Sequence, residues 1–239
     1  MRGKIKRSGF RIASWAAVLA VIGLGIVYLG TSAGSGEERS VQETVELPEI
    51  EHEGVVETIY NRYSVRSFTD DPLSSEDTAH LLWAGEGISV DGVSGPTRTS
   101  PSAGATNPLE IFLLAGNVEE MSEGVYNYDV EGHELEQVKD EDLREDLAGA
   151  ALGQDPLAEA PAVLVVAADY ERTTRRYGER GIQYVHMESG HAAQNINLVA
   201  EERGLGAVII GAFDDERVQD IIGAEQAEPL ILIPVGYEA

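Results

Sequence analysis

The chain has 239 residues, of which 43% are hydrophobic, and this size and composition support one substantial folded domain. It contains no cysteine, which excludes disulfide bonds, thiolate metal sites and a cysteine nucleophile. Its formal net charge of −25 at pH 7 repels phosphate backbones, so we expect no nucleic-acid binding. We interpret the dense carboxylates and rare lysines as a halophilic surface, and the alternative is a merely soluble acidic protein.

The N-terminal segment combines a basic start with a long apolar run. Residues 12–30 carry no charge, and a run of about 20 such residues spans a bilayer core. We therefore predict a membrane anchor at 1–33, with the domain outside the cytoplasm because basic flanks stay inside. A cleaved signal peptide, which would release the protein, is the alternative. Residues 34–54 are predicted to form an acidic flexible linker, which leaves 55–239 as the folded domain.

The predicted domain mixes helices with strands. Amphipathic spacing and capping residues predict helices at 55–62, from Ser74 or Ser75 to about Gly85, and at 142–152, 180–203 and 214–222. Apolar or alternating runs predict strands at 110–115, 124–129, 133–138, 162–168, 207–210 and 230–235, the second and third forming a hairpin. Residues 92–104 are predicted to be a loop. This mixture of hairpins and crossovers predicts an α+β fold.

Common catalytic and metal signatures are missing from the sequence. There is no dinucleotide-binding G-x-G-x-x-G, no Walker A motif and no G-x-S-x-G nucleophile motif. His186 and His191 are five positions apart and fall on different faces of the predicted helix, so they do not form a zinc pair. We therefore expect no metal site.

The first candidate segment runs from Arg62 through Tyr63 and Ser64 to Arg66. Two guanidinium groups and a hydroxyl follow a short predicted helix, in a chain that otherwise avoids positive charge. Arginine presents a planar fork to phosphate oxygens, and serine adds a hydroxyl donor. Taken alone, the segment would more often be a surface ion pair with the many nearby acids.

The second candidate segment, residues 98–108, is rich in small residues. Small side chains let the backbone approach a flat ligand closely, and Ser102 and Asn107 offer donors and acceptors to ring edges. Taken alone, the segment is also typical of an ordinary turn before a strand.

The third candidate segment, Ile209 to Asp215, lies between a predicted strand and a predicted helix. Free backbone N–H groups at such a junction can donate to an electron-accepting ring atom. The alternative is a plain strand–helix turn capped by Asp214.

Six motifs in chain order resemble the SagB/ThcOx-type dehydrogenases of the nitroreductase superfamily, over about residues 55–239. The motifs are R-x-S-x-R-x-F from Arg62, P-S-A-G-x-x-x-P-L-E-I from Pro101, Q-x-x-x-x-x-A-P-A-V-L-V-V from Gln154, Y-G-x-R-x-x-x-Y from Tyr177, G-H-A-A-Q-N from Gly190 and G-A-F-D-D-E from Gly211. The resemblance implies a nitroreductase-like fold, with a central mixed sheet flanked by helices. It also implies a homodimer that binds FMN at the subunit interface.

The resemblance assigns cofactor roles to residues of all three segments. Arg62 and Ser64 match phosphate-binding positions, and Arg66 matches a basic position near the pyrimidine edge or the phosphate. Ser102 and Asn107 match the loop beside the isoalloxazine, and Gly211 and Ala212 match backbone donors to flavin N5 and O4. Arg98 is expected to replace a basic residue that many superfamily members use near the C-terminus. The predicted cofactor set also includes Tyr63, Pro101 and Ile210.

Arg176 and Tyr177 occupy the positions at which the azole-forming members that this chain resembles look to carry a Lys-Tyr pair. Arginine does not release its proton, so the resemblance makes peptide azole formation doubtful, while Tyr177 can still act as an acid or base. We therefore expect an enzyme that transfers hydride between FMN and a small-molecule or peptide substrate, with NAD(P)H or another electron donor or acceptor. The alternative is a tethered flavin-binding electron carrier or sensor without its own substrate.

Overall fold

The computed structural model describes residues 51–92 and 95–239. The chain divides into two compact units, Met1–Pro48 and Glu49–Ala239, and the first lies outside the described residues. The predicted segment 1–33 and most of the predicted linker 34–54 fall there. The domain boundaries therefore stay predictions.

The predicted localisation needs a correction. Within residues 51–92 and 95–239, no helix is both long and apolar enough to cross a membrane. The prediction of a membrane-anchored, extracytoplasmic protein depends on such a helix, so this finding contradicts it and we do not carry it further. The apolar segment 12–30 that suggested the anchor lies outside the described residues. The structure adds no support for the halophilic interpretation of the charge, which stays a prediction.

The secondary structure confirms the predicted mixture of helices and strands. The helices are α1 (Val55–Asn61), α2 (Ser75–Glu86), α3 (Arg144–Ala150), α4 (Pro156–Glu159), α5 (Tyr170–Tyr177), α6 (Arg180–Glu202) and α7 (Asp215–Ile222). The strands are β1 (Ile88–Gly92), β2 (Gly95–Arg98), β3 (Leu109–Ala115), β4 (Gly124–Asp129), β5 (Glu134–Lys139), β6 (Ala162–Ala168), β7 (Gly206–Ala207) and β8 (Glu228–Gly236).

A six-stranded sheet forms the centre of the domain, in the order β5-β4-β3-β6-β8-β7. Its strand pairs are antiparallel, and Ser64 adds a parallel bridge to Ala207, which makes the sheet mixed. Strands β1 and β2 form a separate antiparallel pair. The fold is therefore α+β with a mixed sheet and flanking helices, as predicted.

Alternation along β3 shows how the core is divided. Ile111 and Leu113 belong to an apolar cluster shared with α2 and α6, whereas Phe112 and Leu114 belong to a second cluster shared with α3, α4 and α7. Successive strand residues point to opposite faces, so a strand with apolar residues at every position needs helices on both sides. The sheet is accordingly covered on both faces.

Three local differences from the predicted elements bear on the site. Ile88–Gly92 and Gly95–Arg98 form an antiparallel strand pair where a loop was predicted from 92, because the glycine and proline residues there obscure the strand pattern. Helix α5 was not predicted. The predicted strand 207–210 shortens to β7 and a bridge at Ile210. Pro234 in the neighbouring β8 has no N–H to donate, which interrupts the ladder there.

Candidate functional site

The segment from Thr97 to Asn107 lines a cleft of about 420 Å³. Four predicted cofactor residues line it: Arg98, Pro101, Ser102 and Asn107. Two side-chain contacts fix the start of this loop, because Ser100 Oγ donates to the Gly85 carbonyl at 3.0 Å and Asn195 Nδ2 donates to the Thr99 carbonyl at 3.2 Å. The predicted second segment is therefore an ordered wall held against α2 and α6.

Asn107 closes the loop in a left-handed conformation. Its φ is 43°, a region in which asparagine is enriched among non-glycine residues, and its N–H donates to Ser102 Oγ at 2.9 Å. This bond fixes the Ser102 side chain at the cleft wall and leaves the Ser102 hydroxyl hydrogen available to another acceptor.

Arg176 and Tyr177, at the end of α5, lie against the same loop. Arg176 Nη1 donates to the Gly104 carbonyl at 2.9 Å, and the Arg176 guanidinium carbon lies 5.4 Å from the Tyr177 ring centroid. Gly104 has φ 63°, and a Cβ built on it would lie 2.5 Å from the Tyr177 hydroxyl oxygen. Thr106 and Thr173 join loop and helix through hydroxyls 2.8 Å apart. The structure thus places the predicted catalytic pair on the predicted cofactor loop.

The first predicted segment lies at the edge of the sheet. The Val65 N–H donates to the Ala207 carbonyl at 3.1 Å, and the Val65 side chain is buried against Gly206. Because side chains alternate along an extended chain, Ser64 and Arg66 point away from that core and are exposed. Arg66 forms no ion pair with a residue in the described part of the chain, and the same holds for the half-buried Arg62.

Tyr63, unlike Arg62 and Arg66, already contacts a charged group of the protein. Its hydroxyl donates to the Glu238 carboxylate, and this hydrogen bond raises the pKa of Tyr63. The predicted cofactor role of Tyr63 therefore competes with a contact that the residue already makes.

The third predicted segment presents unpaired backbone donors. The Ile210 N–H donates to the Leu232 carbonyl at 2.9 Å, but the N–H groups of Gly211 and Ala212 have no hydrogen-bond partner among residues 51–92 and 95–239. Both residues are exposed, and a Cβ added to Gly211 would meet nothing within 4 Å. Gln154 Nε2 donates to the Ala212 carbonyl at 3.1 Å, which fixes this turn.

Within one chain, the predicted residues form two separate groups. We call the residues beside β7 and β8 the sheet-edge group: Arg62, Ser64, Arg66, Gly211 and Ala212. We call the residues around the cleft the loop group: Arg98, Ser102, Asn107, Arg176 and Tyr177. The cleft is lined by no member of the sheet-edge group, and in the described part of the chain no hydrogen bond or ion pair joins the two groups.

Arg98 is only partly engaged by protein groups. Its Nη2 forms an ion pair with Glu131 at 3.1 Å. Its Nη1 is buried and has no hydrogen-bond partner among the described residues. This buried nitrogen leaves part of the guanidinium charge unpaired, and that charge lowers the pKa of the buried Glu86.

Two buried glutamates beside this loop were not predicted as site residues. Glu86 and Glu188 are 1% and 2% exposed, and carboxylate oxygens of both lack hydrogen-bond partners. Burial, followed by repulsion from Glu188, raises the pKa of Glu86 to about 8, while Arg98 opposes the rise. Burial raises the pKa of Glu188 to about 7; the adjacent Ser102 hydroxyl and Ala103 N–H offset part of the rise without completing a normal hydrogen bond.

The sequence carried a signal for Glu188 that could have been used. It lies on the apolar face of α6, three positions after the buried Val185 and four before the buried Ala192. A carboxylate at helical spacing among core residues is unusual, and perturbed acids cluster at functional sites. Glu86 ends α2 and had no comparable signal.

Comparison with known proteins places this geometry in a family. The Nitroreductase family profile matches residues 59–237. MJ1384 of Methanocaldococcus jannaschii, assigned as a nitroreductase, is 44% identical over 192 residues, covering 80% of this chain and 95% of that protein.

Two further matches concern microcin proteins of Escherichia coli. The microcin B17-processing protein McbC is 31% identical over 144 residues, which are 56% of this chain and 52% of McbC. The chain therefore spans about half the length of that relative. A solved structure of the E. coli microcin synthetase McbBCD complex with truncated pro-MccB17 bound is similar with a TM-score of 0.63 and 25% identity, covering 90% of this chain and 85% of the matched chain.

Proposed function

This chain belongs to the nitroreductase family and is an oxidoreductase, and from that premise we propose that it binds FMN and transfers hydride between the flavin and an organic substrate. One observation carries the cofactor proposal. Segments that resemble the family's flavin-binding motifs expose donor groups that nothing in the described part of the chain satisfies. These donors are the N–H groups of Gly211 and Ala212 and the guanidinium groups of Arg62 and Arg66.

The donors fit the chemistry of FMN. Guanidinium groups and a serine hydroxyl suit a phosphate, so Arg62 and Ser64 would hold that end of the cofactor. Backbone N–H groups suit the acceptor atoms of a flavin ring, so Gly211 and Ala212 would hold its reactive edge. FMN, when bound, supplies a ring that accepts or donates hydride, and a fixed N–H donor near its reactive nitrogen stabilises the reduced form.

We propose further that the working unit is a homodimer. The sheet-edge group and the loop group are both suited to the same ligand, yet one chain does not bring them into one pocket. Twofold symmetry can place the loop group of one protomer beside the sheet-edge group of its partner, and it does so twice. A composite site of this kind is supported by the accessibility of both groups on the single chain. The exposed members are Ser64, Arg66, Gly211, Ala212 and Arg176, and the other members are partly exposed.

Residues of the loop group would bind the substrate and exchange protons with it. The Tyr177 hydroxyl lies beside Gly104 of the loop that lines the cleft, where it could donate or accept a proton, and Arg176 contacts both the tyrosine ring and the Gly104 carbonyl. Because Arg176 stays protonated, we propose an electron-accepting substrate such as a quinone or nitroaromatic compound rather than a peptide thiazoline. NAD(P)H is the proposed electron donor.

Subunit complementation tests the composite site. Arg62→Ala removes a sheet-edge contact, and Tyr177→Phe removes a loop-group hydroxyl. The assay uses an FMN concentration too low to load Arg62→Ala. If the site is composite, equal mixing and reassembly of the two impaired variants should restore about one quarter of the sites, because each mixed dimer has one intact site. No recovery after verified subunit exchange would place both groups in one protomer's own site and contradict the composite arrangement.

Turnover separates the enzyme from a pure electron carrier. The FMN-loaded full chain should oxidise NAD(P)H continuously when a quinone or a nitroaromatic compound is present. A protein whose flavin is reduced once, but which turns over neither acceptor, would contradict the proposed substrate class.

A further inference from the structure

Glu188 lies directly behind the wall of the cleft. Helix α6 packs against the short turn Ala103–Ala105, and this places the Glu188 carboxyl beside the Ser102 hydroxyl and the Ala103 N–H. Both carboxylate oxygens are buried without a partner in the described part of the chain. Ser102 itself lines the cleft. One hydroxyl therefore separates a buried carboxyl group from the space in which a ligand would lie.

The groups around Glu188 favour its neutral form but allow one carboxyl group of the Glu86–Glu188 pair to ionise. From α2, Glu86 adds a second buried carboxyl group whose charge would repel that of Glu188. From β2, Arg98 adds a positive charge with a buried, unpaired nitrogen. From β4, Tyr128 lies within reach of Arg98 and Glu86 and adds no charge near neutral pH. Two carboxyl groups that share one buried space do not both ionise readily, because their negative charges repel each other. A single carboxylate there is balanced by the positive charge of Arg98.

We propose that Glu188 is the buried proton donor for reductions in the cleft and acts through the Ser102 hydroxyl. The inference rests on the proposed function, which supplies the hydride. The Asn107 N–H already donates to Ser102 Oγ, so the serine can accept one further hydrogen bond, from the Glu188 O–H, and donate its own proton into the cleft.

The proton and electron balance is complete with one acceptor molecule. A quinone needs two electrons and two protons to become a hydroquinone, and a hydride supplies both electrons and one proton. The second proton leaves the Ser102 hydroxyl for the quinone oxygen, while the Glu188 proton moves to Ser102. Glu188 is left as a carboxylate near Arg98 and regains a proton from water. Glu86 takes no part in this step, because only Glu188 lies beside the Ser102 hydroxyl, and burial favours the protonated form of Glu86.

The first test needs no turnover. Infrared difference spectra of the full chain, recorded between about pH 5 and about pH 9, report the carbonyl band of a protonated carboxyl group. We expect carbonyl bands from the two buried carboxyl groups, Glu86 and Glu188. The component that disappears with a midpoint near 7 should be missing from Glu188→Gln, and the Glu86 component should remain. Glu136→Gln, which alters an exposed glutamate on β5, should leave the band unchanged. A Glu188 band with a midpoint near 4.5, or no such band, would overturn the proposal.

The second test is the pH profile of quinone reduction. Glu188→Gln should lose about 10²-fold in rate near neutral pH, and the fall in rate above the Glu188 midpoint should vanish. Glu188→Asp should restore part of the rate, whereas Glu136→Gln should behave as wild type. A merely structural role for Glu188 would lower the rate equally at every pH, and that result would overturn the proposal.

Flavin titration of the same variants separates this inference from the proposed function. Glu188→Gln should bind FMN as tightly as wild type, since the residue lies behind the cleft wall. A wild-type chain that takes up no FMN overturns the proposed function and this inference together. Normal FMN binding with an unchanged rate and pH profile in Glu188→Gln overturns this inference alone.

Discussion

Arg176 is tied to Gly104: its Nη1 donates to the glycine carbonyl at 2.9 Å. This contact fits a residue that orients Tyr177 and the loop, and an arginine that stays protonated cannot take a proton from carbon. We predict little or no azole formation from a thiazoline peptide by the wild-type chain. Loss of a general base typically costs about 10²–10⁴-fold in rate, so Arg176→Lys should gain activity if the peptide binds. The measurement is mass spectrometry of the peptide, since oxidation of the thiazoline ring to the azole removes hydrogen and lowers the peptide mass.

The control for this prediction is Arg175→Lys, since Arg175 is exposed and pairs with Glu171 on the outer face of α5. It should leave azole formation at the wild-type level. Azole synthesis by the wild type at the rate of an azole-forming relative, with no gain in Arg176→Lys, would show that this argument about the base is wrong.

Substitution of Gly104 should lower turnover strongly while lowering the free energy of unfolding only moderately. An alanine there would sit at φ 63°, and its Cβ would lie 2.5 Å from the Tyr177 hydroxyl oxygen and 2.7 Å from Arg176 Nη1. The left-handed conformation costs roughly 1–2 kcal/mol, and the two side chains must move. We predict that Gly104→Ala loses at least tenfold in turnover while remaining folded, as measured by steady-state kinetics and thermal unfolding.

Gly153→Ala is the matched control for Gly104→Ala. Gly153 has φ 73° and nothing within 4 Å of an added Cβ, so it has the same backbone cost without the collision. The two variants should unfold at similar temperatures, and only Gly104→Ala should lose activity. Equal activities in both would remove the Gly104 contact from the site.

Arg62→Ala should weaken FMN binding. A charge-assisted hydrogen bond to phosphate contributes roughly 1.5–3 kcal/mol, which corresponds to about ten- to hundredfold in the dissociation constant. Arg62 has no competing ion pair among the described residues, so phosphate binding breaks no existing contact and little of this contribution is lost. Fluorescence titration of FMN gives the comparison, with Arg175→Ala as the control. An unchanged dissociation constant for Arg62→Ala would exclude Arg62 from the phosphate site.

The two buried carboxyl groups should make the folded state less stable as pH rises from about 4.5 to about 8. The pKa values of Glu188 and Glu86 rise from 4.5 to about 7 and about 8 in the folded chain. A group with a raised folded pKa stabilises fully below its unfolded pKa and loses that contribution as pH rises through the folded value. We predict a loss on the order of 3 kcal/mol for Glu188 between about pH 4.5 and about pH 7.

Chemical unfolding across this range should therefore give a falling stability for wild type and a flatter curve for the double variant Glu86→Gln/Glu188→Gln. The Glu136→Gln control should follow wild type. Parallel curves for wild type and the double variant would mean that the two carboxyl groups ionise as they do in the unfolded chain.

Periodicity predicted the fold well where burial is uniform. β6 was predicted at its observed bounds because all seven of its positions are buried, and α6 was predicted to within one residue because its apolar face repeats over 23 residues. Helix α5 was missed because it is short and strongly polar, with one buried residue, Thr173. Its position is set by contacts with the 99–107 loop rather than by its own pattern.

The candidate site was predictable as segments but not as an arrangement. Arg176, Tyr177 and Gly104 are distant in sequence, and only the packing of α5 shows that they meet. The separation of the sheet-edge group from the loop group also required the sheet order, since it depends on where β7 lies. Glu188 was visible as a carboxylate on an apolar face, but its neighbour Glu86 comes from another helix, which no local pattern reveals.

An FMN-dependent oxidoreductase must take up FMN, so uptake of FMN by the full chain is the decisive measurement. The protein is incubated with excess FMN, freed of unbound cofactor, and its visible absorption is recorded before and after NAD(P)H is added. We predict a bound flavin spectrum with about one FMN per chain, two per homodimer, that bleaches on reduction and returns when a quinone is added. A colourless protein after this treatment, with wild-type folding verified, would show that the chain is not an FMN-dependent oxidoreductase.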